Sequence, residues 1–580
     1  MNFVLSEGAP AKIESVSDNG VTYVHISADF EGKIPQRFML TWKFPAVGCY
    51  SVWSPSLREG HSLQPNWSMR SAQSRLASWM PLYEIISADG RNRLCIALSD
   101  VLHPMTIRSG VCEFDAEIDC CVEFFTGPTA PMEKYDVVLR LDTRDIPYED
   151  SVRSVVSWWE SECGYKPADV PPAAREPVNS LWYSMHHGLD ADEIVHQCAL
   201  STEYGMKVVI IDDGWQMDRV NGVSGVYAQC GDWVPSVKKM GDMRELSERI
   251  HKTGMKVVLW YSVPFVGIES ELYGKFSDML LHESGDRKTY FCLDPRYPEV
   301  REHLASTYES AVRDWGLDGL KLDFIDAFGL RGKSLEYDAR RDCTSIEEAL
   351  GRLMSEVCGR LTALRPDILL EFRQTYVGPA IRRYGNMLRA ADCPMDAIKN
   401  RIDTAQLRLT SGATPVHSDM LMWNISDSAE NAAVQLASVL FSVPQVSMLL
   451  DRLPEAHLRM LRFYLDFWRR HRETLLDGEL RARHPESGYS AVSSRLGDEM
   501  ITVCYTDPLV RLETANAVAV NAGLLDSLII CGGSGFNFAV SDCMGEIINK
   551  GRLSSDTEEL SVPRGGMIKL CTHSLSVEPF

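Results

Sequence analysis

Gly319-Leu320-Lys321-Leu322-Asp323-Phe324 is the stretch on which the fold turns. It is a short apolar run that ends in charge, and Lys321 and Asp323, two residues apart on an extended chain, point to the same side. The residues before it, 298–315, place Val300, Leu304, Tyr308, Val312 and Trp315 at helical spacing, so a helix feeds into a buried strand. Outward in both directions the same texture repeats. Eight strand candidates, 178–185, 207–212, 256–261, 319–323, 368–372, 386–389, 414–417 and 445–449, alternate with amphipathic helices. Eight such units are what a closed (β/α)8 TIM barrel requires, and the barrel is predicted over residues 171–474.

The flanks read differently. Residues 1–170 carry alternating runs such as Gly20-Val21-Thr22-Tyr23-Val24-His25-Ile26 and Arg93-Leu94-Cys95-Ile96-Ala97-Leu98, the pattern of an antiparallel β domain. The proline-bearing segment Pro167-Ala168-Asp169-Val170-Pro171-Pro172 blocks helix and interior strand alike and marks a connection. Alternation returns in Glu499-Met500-Ile501-Thr502-Val503-Cys504-Tyr505 and Ser527-Leu528-Ile529-Ile530-Cys531, which predicts a small antiparallel β domain over residues 475–580.

Composition narrows the function classes. A chain of 580 residues with 45% hydrophobic and 24% charged residues is an ordinary folded protein, too long for one core. A net charge of -21 without a basic patch repels nucleic acid and anionic membranes and suits a neutral small molecule. The start, Met1-Asn2-Phe3-Val4-Leu5-Ser6-Glu7, has neither a basic region nor an apolar run of leader length, and Asp212 and Asp213 interrupt the apolar run at 208–211. Sixteen cysteines without a CxxC pair predict free thiols, a reducing compartment and no structural zinc. Together these features predict a soluble cytoplasmic protein with no membrane partner.

In a barrel of this kind chemistry sits at the C-terminal strand ends. The second strand ends in Asp212-Asp213-Gly214-Trp215-Gln216 and the third in Trp260-Tyr261. Two adjacent carboxylates followed by an aromatic residue suit sugar recognition, although an aspartate there also caps helices. On the fourth strand Lys321 is expected to stabilise Asp323 as a carboxylate, a usable nucleophile, or else the two close the barrel top as a salt bridge. The sixth unit, Arg389-Ala390-Ala391-Asp392-Cys393-Pro394-Met395-Asp396, supplies a second carboxylate for acid catalysis; Asp392 is the first candidate and Asp396 the reserve or a helix cap. His417 and Asp419, after the seventh strand, are expected to line the pocket, since no GxSxG elbow accompanies them. Adjacent His186 and His187 on a strand would face opposite ways and cannot easily share a metal with Asp212 or Asp213, so neither metal nor organic cofactor is expected.

Ile210-Ile211-Asp212-Asp213-Gly214-Trp215-Gln216, Gly231-Asp232-Trp233, Gly254-Met255-Lys256 with Leu259-Trp260, Leu293-Asp294-Pro295 and Gly319-Leu320-Lys321-Leu322-Asp323 together resemble glycoside hydrolase family 36. That family comprises α-galactosidases, α-N-acetylgalactosaminidases and raffinose-synthase-like transglycosylases. The resemblance implies an N-terminal β-supersandwich before the barrel, Asp323 as nucleophile and Asp392 as general acid/base, with Asp212, Asp213, Trp260, Lys321 and Arg389 lining the subsite of the terminal sugar; Trp215, Arg373, Asp396, His417 and Asp419 are further candidates around the sugar. It also implies double displacement with retention, carboxyl groups about 5 to 5.5 Å apart, and an oligosaccharide or glycoside as partner; relatives often assemble through their N-terminal domains, which leaves a homo-oligomer open. Glu371-Phe372-Arg373-Gln374-Thr375-Tyr376 departs from the cysteine and glycine-rich segment that many relatives carry near the sugar's C2 side. Other readings are glycosyl transfer by the same carboxylates, a silent carbohydrate binder, and a metal-dependent hydrolase built on His186, Asp212 and Asp213. Trp53 and Trp67 are expected either at the pocket mouth or in the sandwich core.

Overall fold

The computed structural model describes residues 1–57, 60–216, 227–284, 288–331 and 337–573. Its centre is an eight-stranded parallel sheet with strands β1 (Val178–Ser180), β2 (Val208–Ile211), β3 (Lys256–Ser262), β4 (Gly319–Asp323), β5 (Leu369–Arg373), β6 (Met387–Arg389), β7 (Val416–His417) and β8 (Gln445–Val446). β1 pairs with both β2 and β8, and parallel bridges His417 to Val443 and Leu421 to Val446 join the seventh and eighth units, so the sheet closes on itself. Its floor is apolar: Val178, Val208, Ile210, Val258, Leu369 and Met387 pack with Ala174, from the proline-rich connection, which folds into a short 3-10 turn over Pro172–Arg175.

The helix predicted before β4 runs over Pro298–Trp315, with proline in its first turn and Gly316 closing it in the left-handed conformation. β1 is shorter than expected. After Ser180 the chain turns into a short helix, Trp182–Met185, because a run of four or five apolar and aromatic residues does not by periodicity separate strand from helix. His186 leaves that helix at φ +47° with its ring 4.3 Å from Trp182, so the two histidines do not alternate on a strand. Between β3 and β4 the chain inserts a three-stranded antiparallel sheet, Phe265–Gly267, Leu280–Ser284 and Tyr290–Leu293, that the strand count does not anticipate.

The N-terminal residues form a five-stranded and a six-stranded antiparallel sheet packed face to face around Val24, Leu40, Trp42, Ile96, Val122 and Leu139. They are followed by a helix, Tyr148–Ser161, in a region read as all β; Tyr148, Val152, Val155 and Trp159 carry its helical spacing. Trp53 lies between domains, donating from Nε1 to Tyr489 Oη at 2.8 Å and packing on Tyr148, whereas Trp67 is 75% exposed. Trp53 therefore covers no pocket mouth. The C-terminal residues build a seven-stranded and a three-stranded sheet around Val510, Ala519, Ile530, Val540 and Ile568. Among the described residues no helix is long and apolar enough to cross a membrane.

The barrel depends on close approach at Gly319. A Cβ there would lie 2.3 Å from Leu369 O and 2.6 Å from Leu369 Cβ, across the β4–β5 pair that aligns Lys321 with Glu371. Gly319→Ala is expected to lower unfolding stability by about 1–3 kcal/mol, read by denaturant or thermal melts; a variant as stable as the parent would show that the two strands have room to part.

Candidate active site

The strand ends β2 to β7 gather charge in a nearly dry space. Asp323 closes β4, and both its oxygens are occupied by donors. Oδ2 accepts from Trp260 Nε1 at 3.0 Å; Oδ1 accepts from the Phe324 backbone N–H at 2.8 Å, from Tyr376 Oη at 3.3 Å and from Arg373 Nε in a short ion pair. Register explains why these groups converge. Trp260 on β3, Lys321 on β4 and Glu371 on β5 are in-line partners, and Arg373 sits one pleat above Glu371. Burial alone would raise the Asp323 pKa, but Arg373, then Lys321, then the Trp260 and Arg373 hydrogen bonds hold it well below the usual carboxylate range.

Lys321 Nζ lies 2.6 Å from Asp212 Oδ2, with both side chains only 5% exposed. Burial pushes the Asp212 pKa up, and Lys321 opposes it. Asp213 accepts from Gln216 Nε2 at 2.8 Å and meets His187 Nε2 at 3.2 Å, which orients its carboxylate from both sides.

Arg389, on β6, is fully buried and shared among three carboxylates: Asp419 at 2.5 Å, Asp392 at 2.9 Å and Glu371 at 3.6 Å. Asp419 is further fixed by Tyr183 Oη at 3.0 Å and the Cys393 N–H at 2.6 Å. Asp392 is the open member of this set, its side chain 52% exposed. Burial would raise its pKa, yet Arg389, then Arg373 and Lys321, bring it below the ordinary value, and the charge of Asp323 acts on it in the opposite sense. The two carboxylates thus share one electrostatic environment.

Several residues expected around the sugar do other work. Trp215 is fully buried; its indole N–H donates to Trp260 O at 2.8 Å and its ring packs among Trp233, Tyr261 and Trp315, leaving no face for a sugar. Trp260 is 1% exposed and serves the nucleophile candidate instead. Asp396 is exposed and caps the helix Ala397–Thr410, accepting from Lys399 N at 2.9 Å, as its position before a helix allows. His417 turns into the barrel interior, where its Nε2 meets Ala174 O at 2.8 Å; burial drives its pKa down to about 4, so it is neutral near pH 7 and does not line the pocket mouth. Asp419 is fully buried behind Arg389, and Arg373 is committed first to Asp323. Asp294, from the Leu293-Asp294-Pro295 motif, is buried in a pair with Arg296 at 2.8 Å and Arg341 at 3.2 Å.

Tyr183, Glu371 and Tyr376 enter the site without having been given a role from sequence, and His187, weighed there only as a metal ligand, enters it against Asp213. Glu371 and Arg373 alternate at the end of an apolar strand as Lys321 and Asp323 do, a signal that could have found Glu371; Tyr183 sits in the short helix Trp182–Met185, and His187 and Tyr376 lie in loops, with no such spacing. Among the described residues no group of three His, Cys, Asp or Glu side chains is arranged to hold a metal.

The fold and site together are a parallel barrel with a buried, cation-held aspartate on β4 and an open one after β6, flanked by two β domains. Residues 174–379 match the family model for melibiase. The curated relatives include α-galactosidase AgaA of Geobacillus stearothermophilus, 24% identical over 197 residues, and the bifunctional α-galactosidase/sucrose kinase AgaSK of Mediterraneibacter gnavus, 28% identical over 201 residues. Each alignment takes in 33% of this chain, and only 26% and 20% of those relatives' own lengths. The likeness in structure is wider: the GH36 α-galactosidase AgaA from Geobacillus stearothermophilus superposes with a TM-score of 0.65 at 16% identity, covering 95% of this chain and 79% of AgaA. The galactosidase domain of AgaSK gives 0.64 at 13% identity, covering 97% and 81%. Residues 174–379 thus resemble melibiase, and nearly the whole chain shares the fold of the GH36 α-galactosidase AgaA.

Two substitutions separate the structural from the chemical aspartates. Asp396→Ala is expected to cost about 0.5–2 kcal/mol of stability as a lost cap while turnover stays within a few-fold of the parent. Lys321→Met, which strands Asp212 in the interior, is expected to cost about 3–5 kcal/mol, read as a lowered melting midpoint. Loss of turnover in the Asp396 variant at intact fold would move the acid role away from Asp392.

Proposed function

We propose that this chain is a retaining, exo-acting α-glycosidase of the α-galactosidase type, with Asp323 as nucleophile and Asp392 as general acid/base. The observation that carries the proposal is the asymmetric hold on Asp323. Oδ1 accepts from the Phe324 amide and from Arg373, with the single Tyr376 hydroxyl proton shared between it and Leu322 O, whereas Oδ2 accepts from Trp260 alone, so Oδ2 keeps the free lone pair for the anomeric carbon. A carboxylate so stabilised is ionised over the whole range in which a glycosidase works. The relatives named above carry α-galactosidase activity in their names, and substituted variants of AgaA have been crystallised with stachyose and with raffinose, which supports a terminal α-galactoside as substrate.

Asp323 attacks C1 as Asp392 gives its proton to the leaving oxygen; the C1–O bond breaks and a β-linked glycosyl ester forms. Asp392, now a carboxylate, takes a proton from the incoming water, whose oxygen attacks C1 and releases Asp323 with the α configuration restored. Arg389 makes this cycling feasible. When Asp392 picks up a proton and leaves the guanidinium, Asp419 and Glu371 remain as its partners, so no buried charge is stranded. Asp212 and Asp213 are proposed to accept from sugar hydroxyls at the far end of the ring. Transfer of the glycosyl group to a sugar acceptor uses the same two steps. The proposed setting is the cytoplasm, and the proposed division of the chain is 1–170, 171–474 and 475–580.

The first test is a panel of 4-nitrophenyl glycosides of both anomers, including galactose, N-acetylgalactosamine, glucose and β-arabinose, with product configuration followed by NMR. α-Galactoside cleavage that yields α-galactose first is expected; β-galactose as first product, or cleavage of β-glycosides alone, would contradict the mechanism. Because Arg389 keeps Asp392 ionised in the free protein, whereas a bound sugar displaces water and favours the neutral acid, the basic limb is expected at lower pH in kcat/KM than in kcat. Coincident basic limbs would show that occupancy leaves Asp392 unperturbed.

A further inference from the structure

A turn of the N-terminal β domain reaches the two loops that carry the Asp323 machinery. Arg75 and Ser78 bridge each other's backbone, which closes the turn. Arg75 donates from Nη2 to Asp326 O at 2.7 Å and from Nη1 to Phe328 O at 3.2 Å, in the loop after β4. Trp79, at φ +58°, aims its backbone N–H at Thr375 O, 2.8 Å away in the loop after β5. The two loops are stapled to each other by Thr375 Oγ1 on Asp326 Oδ2 at 3.0 Å. Space is kept for this approach: a Cβ on Gly329 would stand 2.7 Å from Arg75 Nη1, and one on Gly378 would stand 2.4 Å from Trp79 O.

These loops begin immediately after Asp323 and Arg373. Phe324 leaves β4 at φ +63°, a left-handed conformation that costs a non-glycine residue roughly 1 kcal/mol or more and persists only where the surroundings over-determine it. Its N–H donates to Asp323 Oδ1, so the turn at Phe324 and the aim of the carboxylate are one geometric fact. The 3-10 turn that follows, Ile325–Ala327, has no side-chain cap of its own. From outside it is held by the guanidinium fork of Arg75 on the carbonyls of 326 and 328, by Thr375 on Asp326, and by His282 Nε2 at 3.1 Å from Ala327 O.

We propose that Arg75, although it belongs to the N-terminal β domain, is a positioning residue for the nucleophile: its fork, with the Trp79 amide beside it, sets how the Asp323 loop stands against the Arg373 loop. The N-terminal domain is then part of the active-site frame, and its removal deprives the barrel of the brace for both loops. The activity arm of the test rests on Asp323 being the nucleophile; the exchange arm does not.

The experiment compares Arg75→Met and Arg75→Lys in the full chain. Arg75→Met is expected to lose kcat on the order of 10²-fold, as small misplacements of reacting groups do, with KM changed far less, while its melting midpoint stays near the parent's. The acid limb of kcat/KM is expected to move up, because a loosened loop weakens the Arg373 hold on Asp323; Arg75→Lys, which keeps charge and one donor, is expected to fall between. A kcat and an acid limb both equal to the parent's would overturn the proposal. Hydrogen exchange supplies the second reading: faster exchange confined to 324–328 and 375–378 in Arg75→Met is expected, and unchanged exchange there overturns the proposal. If Arg75→Met fails to fold, Arg75→Lys is read by the same criteria. If the parent cleaves no α-glycoside, the proposed function falls, and exchange alone decides the role of Arg75.

Discussion

An aspartate stripped of water stays charged only where other groups replace the water, and the site is built around that requirement at Asp323. Arg373 and Lys321 supply positive charge, while Trp260, Tyr376 and the Phe324 amide supply oriented donors. None of these groups needs to move when a developing positive charge at C1 replaces the proton that Asp323 never carries. The sheet register is what delivers them, since Trp260, Lys321 and Glu371 stand side by side on adjacent strands and face the same interior.

The cations of the barrel interior hold further carboxylates as well. Lys321 answers to Asp212, and Arg389 to Asp419, Glu371 and Asp392, so the barrel interior is a network of opposed charges and not a single pair. Most members are buried and structural. Asp392 differs because it is half open, and that exposure is what allows a proton and a leaving group to reach it. The two proposed catalytic roles follow from environment: similar side chains, one enclosed by donors, one at the edge of an arginine that has other partners.

Much of this was legible before any coordinates. The apolar runs ending in charge placed all eight barrel strands, and the spacing of Lys321 and Asp323 put both on the interior face; β4 and the helix Pro298–Trp315 match residue for residue. What escaped was set by tertiary contacts. Trp215 reads as a sugar platform in a motif but packs among three other aromatic rings, and Asp396 is chemically equivalent to Asp392 until a helix is seen to start behind it. His417 has a strand-end position like that of Arg389, yet the proline-rich connection beneath the barrel offers it a carbonyl and draws it inward. The approach of Arg75 to the barrel joins residues about 250 apart in sequence, through backbone carbonyls that no side-chain pattern reveals.

Asp323 is the proposed oxygen donor to C1. Incubation with 2-deoxy-2-fluoro-α-galactosyl fluoride slows both steps and allows the glycosyl ester to accumulate; protease digestion and tandem mass spectrometry then locate it. A fluorogalactosyl adduct on Asp323 is the predicted result. An adduct on Asp392, Asp326 or any other residue would contradict the assignment at its centre.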